Sequence, residues 1–209
     1  MKLSISLVVV ASLIASCSPQ ESPDQPGKYT SGSTIGRIER LAPGFDELVP
    51  ADAAIEVLAE GHEWIEGPVW VPELSALLYS DIPRNAIYRW SEKNPASVWL
   101  KPSGYTGKEQ RGGEMGSNGL LLDQAGRLVL AQHGDRRIAR LSGEMDVPNP
   151  VFETLAEQFE GMRFNSPNDL VMASTGDIYF TDPPYGLERG ENDPAKEVDF
   201  QGVYRLSPD

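Results

Sequence analysis

Three stretches of this chain repeat one pattern. Glu66-Gly-Pro-Val-Trp70, Ser117-Asn-Gly-Leu-Leu-Leu-Asp123 and Pro167-Asn-Asp-Leu-Val171 each present a polar residue with a side-chain oxygen, run into apolar positions, turn, and enter a strand-like segment. Those segments are Leu77–Asp81, Leu128–Gln132 and Ile178–Asp182. The openers Glu66, Asn118 and Asn168 are 52 and then 50 residues apart. A period of ~50 residues made of short strands and Gly, Pro and Asn turns is the length of one four-stranded propeller blade. A blade cannot bury both faces alone, so it needs neighbours stacked around an axis, and equivalent positions converge on the central channel. The repeat therefore predicts that Glu66, Asn118 and Asn168 face one another.

A second register supports the first. Ala86-Ile-Tyr-Arg-Trp90, Arg137-Ile-Ala-Arg-Leu141 and Gly202-Val-Tyr-Arg-Leu206 share an apolar-x-Arg-apolar pattern at the third strand of each unit. Short β-type runs broken by turns such as Gln124-Ala-Gly-Arg127 and Ser174-Thr-Gly-Asp177 fill the chain from residue 55 onward, which predicts an all-β fold. The best helical candidate, Asn149–Gly161, reads equally well as the strand Val151–Leu155 followed by a turn. Ser103–Met115, with four glycines, and Tyr185–Phe200 read as loops bordering a site. Propellers hold roughly 4 to 8 such blades, so the expectation is that this chain supplies about the first three and is incomplete toward the C-terminus. The rival, a half-propeller that pairs with a second copy, would leave strand edges exposed in the monomer.

The ends carry a different message. Met1-Lys2, the 13 mostly apolar residues Leu3–Ala15, and then Ser16-Cys17 describe a secretory signal peptide, since a spanning helix needs ~20 apolar residues. Leu13-Ile-Ala-Ser-Cys17 resembles a bacterial lipoprotein box, which makes Cys17 the expected lipidation site and residues 1–16 the leader. With Ser18 following the cysteine, that resemblance implies an exported protein anchored at the outer membrane on the periplasmic side, the alternative being a soluble periplasmic one. Residues 17–40 are expected to be a flexible tether, being rich in Ser, Pro, Gln and Gly with little to bury, and residues 41–209 the N-terminal half of the propeller. Cys17 is the sole cysteine, so no internal disulfide forms. With 31 acidic against 18 basic residues and a net charge of −13, the chain is not suited to nucleic acid.

At the converging positions, Glu66 offers a hard anionic oxygen and the amides of Asn118 and Asn168 neutral ones, a donor set suited to Ca²⁺ or Mg²⁺. For either Asn alone turn geometry is the better reading; it weakens once three polar openers recur in register. His133, one residue past a strand end, is either a general base, a substrate-orienting group or a solvent-exposed turn histidine. Asp182, in Phe180-Thr-Asp-Pro-Pro-Tyr-Gly186, is a candidate pocket residue and, with His133, a candidate catalytic one. Its counterpart Asp81 reads as a turn aspartate and His62 as surface.

At these residues the chain resembles the senescence-marker/gluconolactonase family, which includes regucalcin. The matching stretches are Glu66-Gly-Pro-Val-Trp70, Tyr79-Ser-Asp-Ile-Pro83, Ser117-Asn-Gly-Leu120, Gln132-His-Gly-Asp-Arg-Arg137, Arg163-Phe-Asn-Ser-Pro-Asn-Asp-Leu-Val171 and Phe180–Gly186. The resemblance implies a six-bladed β-propeller with one divalent cation at its axis, Ca²⁺ first and Mg²⁺ or Zn²⁺ as alternatives, hydrolysing a small-molecule lactone. By that resemblance Glu66 and Asn168 are metal ligands, Asn118, Asn168 and Arg163 bind substrate, and His133 lies where related lactonases place pocket residues. Extra residues separate Arg163 from Asn168 here. The family's further metal-binding asparagine and its aspartate base belong to later blades, so the 209-residue chain alone is expected to be inactive. The alternative is a lipid-anchored, non-catalytic propeller that binds a sugar or a protein.

Overall fold

The computed structural model describes residues 30–208; the leader, Cys17 and most of the tether lie outside the described residues. The first pairing is between β1 (Thr34–Ile35) and β2 (Ile55–Glu56). It begins inside the range assigned to the tether. Ser31 and Gly32 also bond to the carbonyls of Leu58 and Val57, and the Arg40 guanidinium donates to the carbonyls of Val49 and Pro50. Residues 30–40 are therefore held through hydrogen bonds to backbone carbonyls, from main chain and from the Ser31 and Arg40 side chains, which a composition-based reading does not detect.

Three antiparallel sheets follow, each a meander in chain order. The first holds β3 (Ile65–Val71), β4 (Ala76–Asp81), β5 (Ala86–Ser91) and β6 (Asn94–Leu100). The second holds β7 (Ser117–Leu122), β8 (Leu128–Gln132), β9 (Arg137–Leu141) and β10 (Phe152–Ala156), so the Val151–Leu155 run is a strand and not a helix. After a small hairpin of β11 (Gln158–Phe159) and β12 (Met162–Arg163), the third holds β13 (Leu170–Met172), β14 (Ile178–Asp182) and β15 (Gly202–Leu206). The predicted loops 103–115 and 185–200 contain no strand, only one short 3₁₀ turn at Gly190–Asn192. Among the described residues the sheets do not close into a ring, and no helix is long and apolar enough to cross a membrane.

The sheets stack through two apolar layers. Val71, Leu78, Ile87, Leu120, Leu128 and Leu130 fill the first, and Leu121, Val129, Ala131, Ile138, Leu170 and Phe180 the second. Strand β8 serves both: Leu128 and Leu130 face one layer, Val129 and Ala131 the other. Side chains alternate across a strand, so a strand buried on both sides must be apolar throughout, and Leu128-Val-Leu-Ala131 is. The faces of the first and third sheets turned away from these layers carry exposed Trp70 and Val98, and exposed Val171 and Val203.

The repeated third-strand arginine has a shared task. Arg140 and Arg205 reach Asp123 and Asp177 at the turn between the first two strands of their sheets, at 3.1 and 2.8 Å, and Arg89 donates to the Leu74 carbonyl at the equivalent turn. The motif fastens each sheet at the end remote from the openers.

Candidate active site

Each opener sits at or just before the start of its inner strand, and the first two lie beside a break in regular pairing. The β3–β4 register shifts between Glu66 and Val69, and the β7–β8 register between Ser117 and Leu120. A bulge of this kind re-aims the side chain next to it. Gly67, with φ 57°, supplies the backbone conformation that the first break requires. Inner strands β3, β7 and β13 then pack side by side: the Ser80 hydroxyl donates to the Asn118 carbonyl at 2.8 Å, and the Gly119 N–H to the Asn168 carbonyl at 2.8 Å.

The consequence is a cavity of about 360 Å³ whose wall includes Glu66, Asn118, Asn168 and Asp169, with Gly67, Pro68, Leu120 and Leu170 between them. The structure thus brings the three predicted openers together. Glu66 is exposed, and one of its oxygens accepts from the Trp64 indole N–H at 3.3 Å. Asn118 is 6 % exposed and contributes to this cavity wall. An amide on a cavity wall can both donate and accept a hydrogen bond. No cluster of three His, Cys, Asp or Glu occurs among the described residues, so a cation here would be held by Glu66 together with the amide oxygens. These all-oxygen donors fit a hard divalent ion.

Behind this wall lies His133, fully buried rather than exposed in a turn. Its Nε2 is 3.1 Å from the Asn168 amide nitrogen. Its Nδ1 is 3.1 Å from a Glu114 carboxylate oxygen, close enough for a strong electrostatic contact but off the line of a good hydrogen bond. His133 does not line the cavity and reaches it only through Asn168. The ring is therefore buried behind the cavity wall, with Nε2 at Asn168 and Nδ1 beside Glu114 without a hydrogen bond, and not exposed in a turn.

Asp182 is likewise not a cavity residue. It is 1 % exposed, and its two oxygens accept the backbone N–H groups of Asn165 and Ser166, both at 2.8 Å. Burial pushes its carboxyl up to about 6, against the pull of those two N–H groups and of Arg136. Asp182 clamps the segment that carries Asn168.

Arg163 departs furthest from expectation. It lines a separate cleft of about 640 Å³ between the 105–111 loop, the β8–β9 turn and the 187–195 loop, and its guanidinium donates to the Asp135 carbonyl at 2.9 Å. That cleft holds five arginines and five carboxylates, so it presents no field of one sign, and none of the openers enters it. The β11–β12 hairpin, formed by the residues around Arg163, carries the side chain away from Asn168.

Two groups were not legible as site support. Arg136, with φ 59° and 4 % exposed, donates to the carbonyls of Phe164, Asn165, Arg163 and Ala195, and burial lowers its pKa. The only sequence signal was the pair Arg136-Arg137, which reads as solvated charge. His62 and Asp81, expected at the surface and in a turn, form a buried cluster. His62 Nε2 meets the Tyr79 hydroxyl at 2.8 Å and Nδ1 lies 3.4 Å from Asp81, while Asp81 is 0 % exposed and also accepts the Glu63 N–H. Burial, then Tyr88 and Asp81, push the Tyr79 hydroxyl up to about 12.

Residues 64–209 match the SMP-30/Gluconolactonase/LRE-like region family. Over 205 residues the chain is 37 % identical to the gluconolactonase of Zymomonas mobilis subsp. mobilis, an alignment covering 97 % of this chain and 56 % of that protein. It superposes on a gluconolactonase of Xanthomonas campestris described as important in glucose secondary metabolic pathways, with TM-score 0.61 and 33 % identity over 76 % of this chain and 48 % of that one. An X-ray structure named as a gluconolactonase candidate gives TM-score 0.66 and 35 % identity, over 80 % of this chain and 53 % of that one. The chain spans about half the length of these relatives. By the match across its three repeats, the chain belongs to the SMP-30/gluconolactonase/LRE-like family.

Proposed function

We propose that the protein hydrolyses a sugar lactone at the cavity where the three repeats converge. The observation that carries this reading is the meeting of Glu66, Asn118 and Asn168 in one pocket of small-molecule size. Glu66 and Asn168 would hold a divalent cation, Ca²⁺ first and Mg²⁺ or Zn²⁺ as alternatives. Bound there, such an ion supplies Lewis-acid polarisation of a carbonyl. Asn118 contributes an amide that can accept a ring hydroxyl or donate to the lactone oxygen. Water adds its oxygen to the carbonyl carbon, the ring ester C–O bond breaks, and a hydroxy acid leaves. His133 and Asp182 assist by holding Asn168 and the segment that bears it.

The same reading makes the three sheets part of a six-bladed propeller, in which they supply half of the pocket wall. The 209-residue chain alone is then expected to bind a cation weakly. Independently, the lipoprotein-box resemblance of Leu13–Cys17 supports a lipid anchor at Cys17 that would tether the protein to the periplasmic side of the outer membrane.

Hydrolysis of glucono-δ-lactone by the full-length protein, followed as acid release with and without chelator, tests the reading. Glu66→Gln should remove most of the activity. Unchanged turnover in that variant would overturn the metal assignment. Terbium offers a second readout: an ion at Glu66 would be excited through the adjacent Trp64 ring, and Glu66→Gln should abolish that emission.

A further inference from the structure

The first two openers are joined by a pair of hydroxyls. Ser80 stands opposite Glu66 in the β3–β4 register, and Ser117 directly precedes Asn118. Their hydroxyl oxygens are 2.8 Å apart, both residues are 0 % exposed, and the Ser80 hydroxyl is also 2.8 Å from the Asn118 carbonyl oxygen. A carbonyl can only accept and a serine hydroxyl has one proton, so the direction is fixed: Ser117 donates to Ser80, and Ser80 donates to Asn118. Gly67 packs against the same carbonyl oxygen. The Asn118 main chain is thus held by the sequence neighbour of Glu66 and by its partner across the strands.

Packing alone does not require this. At the next junction Ala131 occupies the position of Ser80 and Pro167 that of Ser117, so neither place carries a hydroxyl, and the inner strands are joined by the main-chain bond from the Gly119 N–H to the Asn168 carbonyl. Ala131 is as buried as Ser80, so a small apolar side chain suffices at that place in the strand. Burying a hydroxyl costs free energy unless it is bonded, and two are buried at one junction where the other manages with none. Hydrogen bonds are directional and apolar contacts are not. What the pair adds is a fixed separation between β4, which carries the partner of Glu66, and the bulge of β7 that aims Asn118.

We propose that Ser80 and Ser117 are positioning residues: their hydroxyl clasp fixes the separation of Glu66 and Asn118 across the cavity and so sets which cation radius the oxygen donors accept. A rigid site selects ions by size, and a slack one does not. The consequence for the cation rests on the function proposed above; the clasp itself does not, and each has its own readout.

Asn118-Gly119 is the only Asn-Gly pair in the chain. Labelling with carbonyl-¹³C asparagine and ¹⁵N glycine therefore leaves one peptide cross-peak, whose ¹³C frequency reports the Asn118 carbonyl. Ser80→Ala should move it upfield, the direction of a lost hydrogen bond. Ser117→Ala should leave it near its original position, because the Ser80 proton still reaches the carbonyl. In the full-length protein, terbium binding at Glu66 should weaken about tenfold in Ser80→Ala, and competition by lanthanide ions of graded radius should lose its size preference. Gly126→Ala, altered at a turn remote from the cavity, should keep both, which separates positioning from stability. An Asn118 carbonyl unmoved in Ser80→Ala overturns the proposal, as does a Ser80→Ala protein with unchanged affinity and size order. An unmodified protein with no Glu66-dependent terbium emission overturns the cation reading instead, and the carbonyl peak then decides the clasp. If Ser80→Ala does not fold, Ser80→Cys, whose thiol is a weak donor, takes its place with the same outcomes.

Discussion

A Cβ on Gly67 would lie 2.2 Å from the carbonyl oxygen of Asn118. The residue after one opener thus rests on the backbone of the next, and the arrangement recurs one repeat later, where a Cβ on Gly119 would lie 3.0 Å from the Asn168 carbonyl oxygen. Glycine after the opener is what lets neighbouring inner strands approach closely enough to share a cavity.

Gly67→Ala should therefore cost about 3 kcal/mol, combining overpacking against main chain with a left-handed backbone. Gly126 has φ 78°, but a Cβ there would meet nothing within 4 Å, so Gly126→Ala should cost only about 1 kcal/mol. Urea unfolding of both variants checks the difference; equal losses would show that the strand approach is not tight.

Asp182 predicts an inverted pH dependence. Its folded pKa of about 6 lies above the unfolded 3.8, so between these values the native state holds more protons than the unfolded chain. Its contribution is complete below the unfolded pKa and is lost as pH rises through the folded one. The loss is on the order of 3 kcal/mol. Unfolding free energies of the unmodified chain and Asp182→Asn, subtracted at each pH from 4 to about 7.5, should show that decline. A flat difference curve would contradict it.

Arg136 supports the Asn168 segment from below. Arg136→Met should leave the carbonyls of Phe164, Asn165 and Ala195 without their buried donor, destabilising by about 3 kcal/mol. Hydrogen exchange should accelerate over residues 163–168 before the sheets open. Arg136→Lys should rescue little, because one ammonium cannot reproduce the fork. Full rescue by lysine would reduce the role to charge alone.

His62→Ala should cost about 2 to 4 kcal/mol by leaving the Tyr79 hydroxyl and a fully buried Asp81 carboxylate short of a partner. Thermal unfolding followed by Trp fluorescence reads this out, and a loss below about 0.5 kcal/mol, the range of surface substitutions, would return His62 to the surface role its sequence context suggested.

The strands, both loops and the convergence of Glu66, Asn118 and Asn168 were legible in the chain, and the partner of each polar group was not. Arg163 illustrates the gap. Its spacing from Asn168 says they are near in sequence, yet the β11–β12 hairpin sends the guanidinium into another cleft. Asp81 and Asp182 hold matching places, but one meets a histidine and the other two backbone N–H groups, because the segment entering each sheet differs.

By itself, the sequence determined whatever follows from periodicity: the repeat near 50 residues, the all-β class and the oxygen donors brought into register. Periodicity suffices for these because burying alternate faces of successive sheets is a requirement on the whole pattern and not on any one contact. Tertiary structure alone decided which titratable groups face the cavity and which stand behind it. Whether His133 is a base or a support depends on Glu114, 19 positions away, and on Asn168, 35 positions away. Such contacts are made by loops and bulges whose side-chain directions no residue pattern encodes.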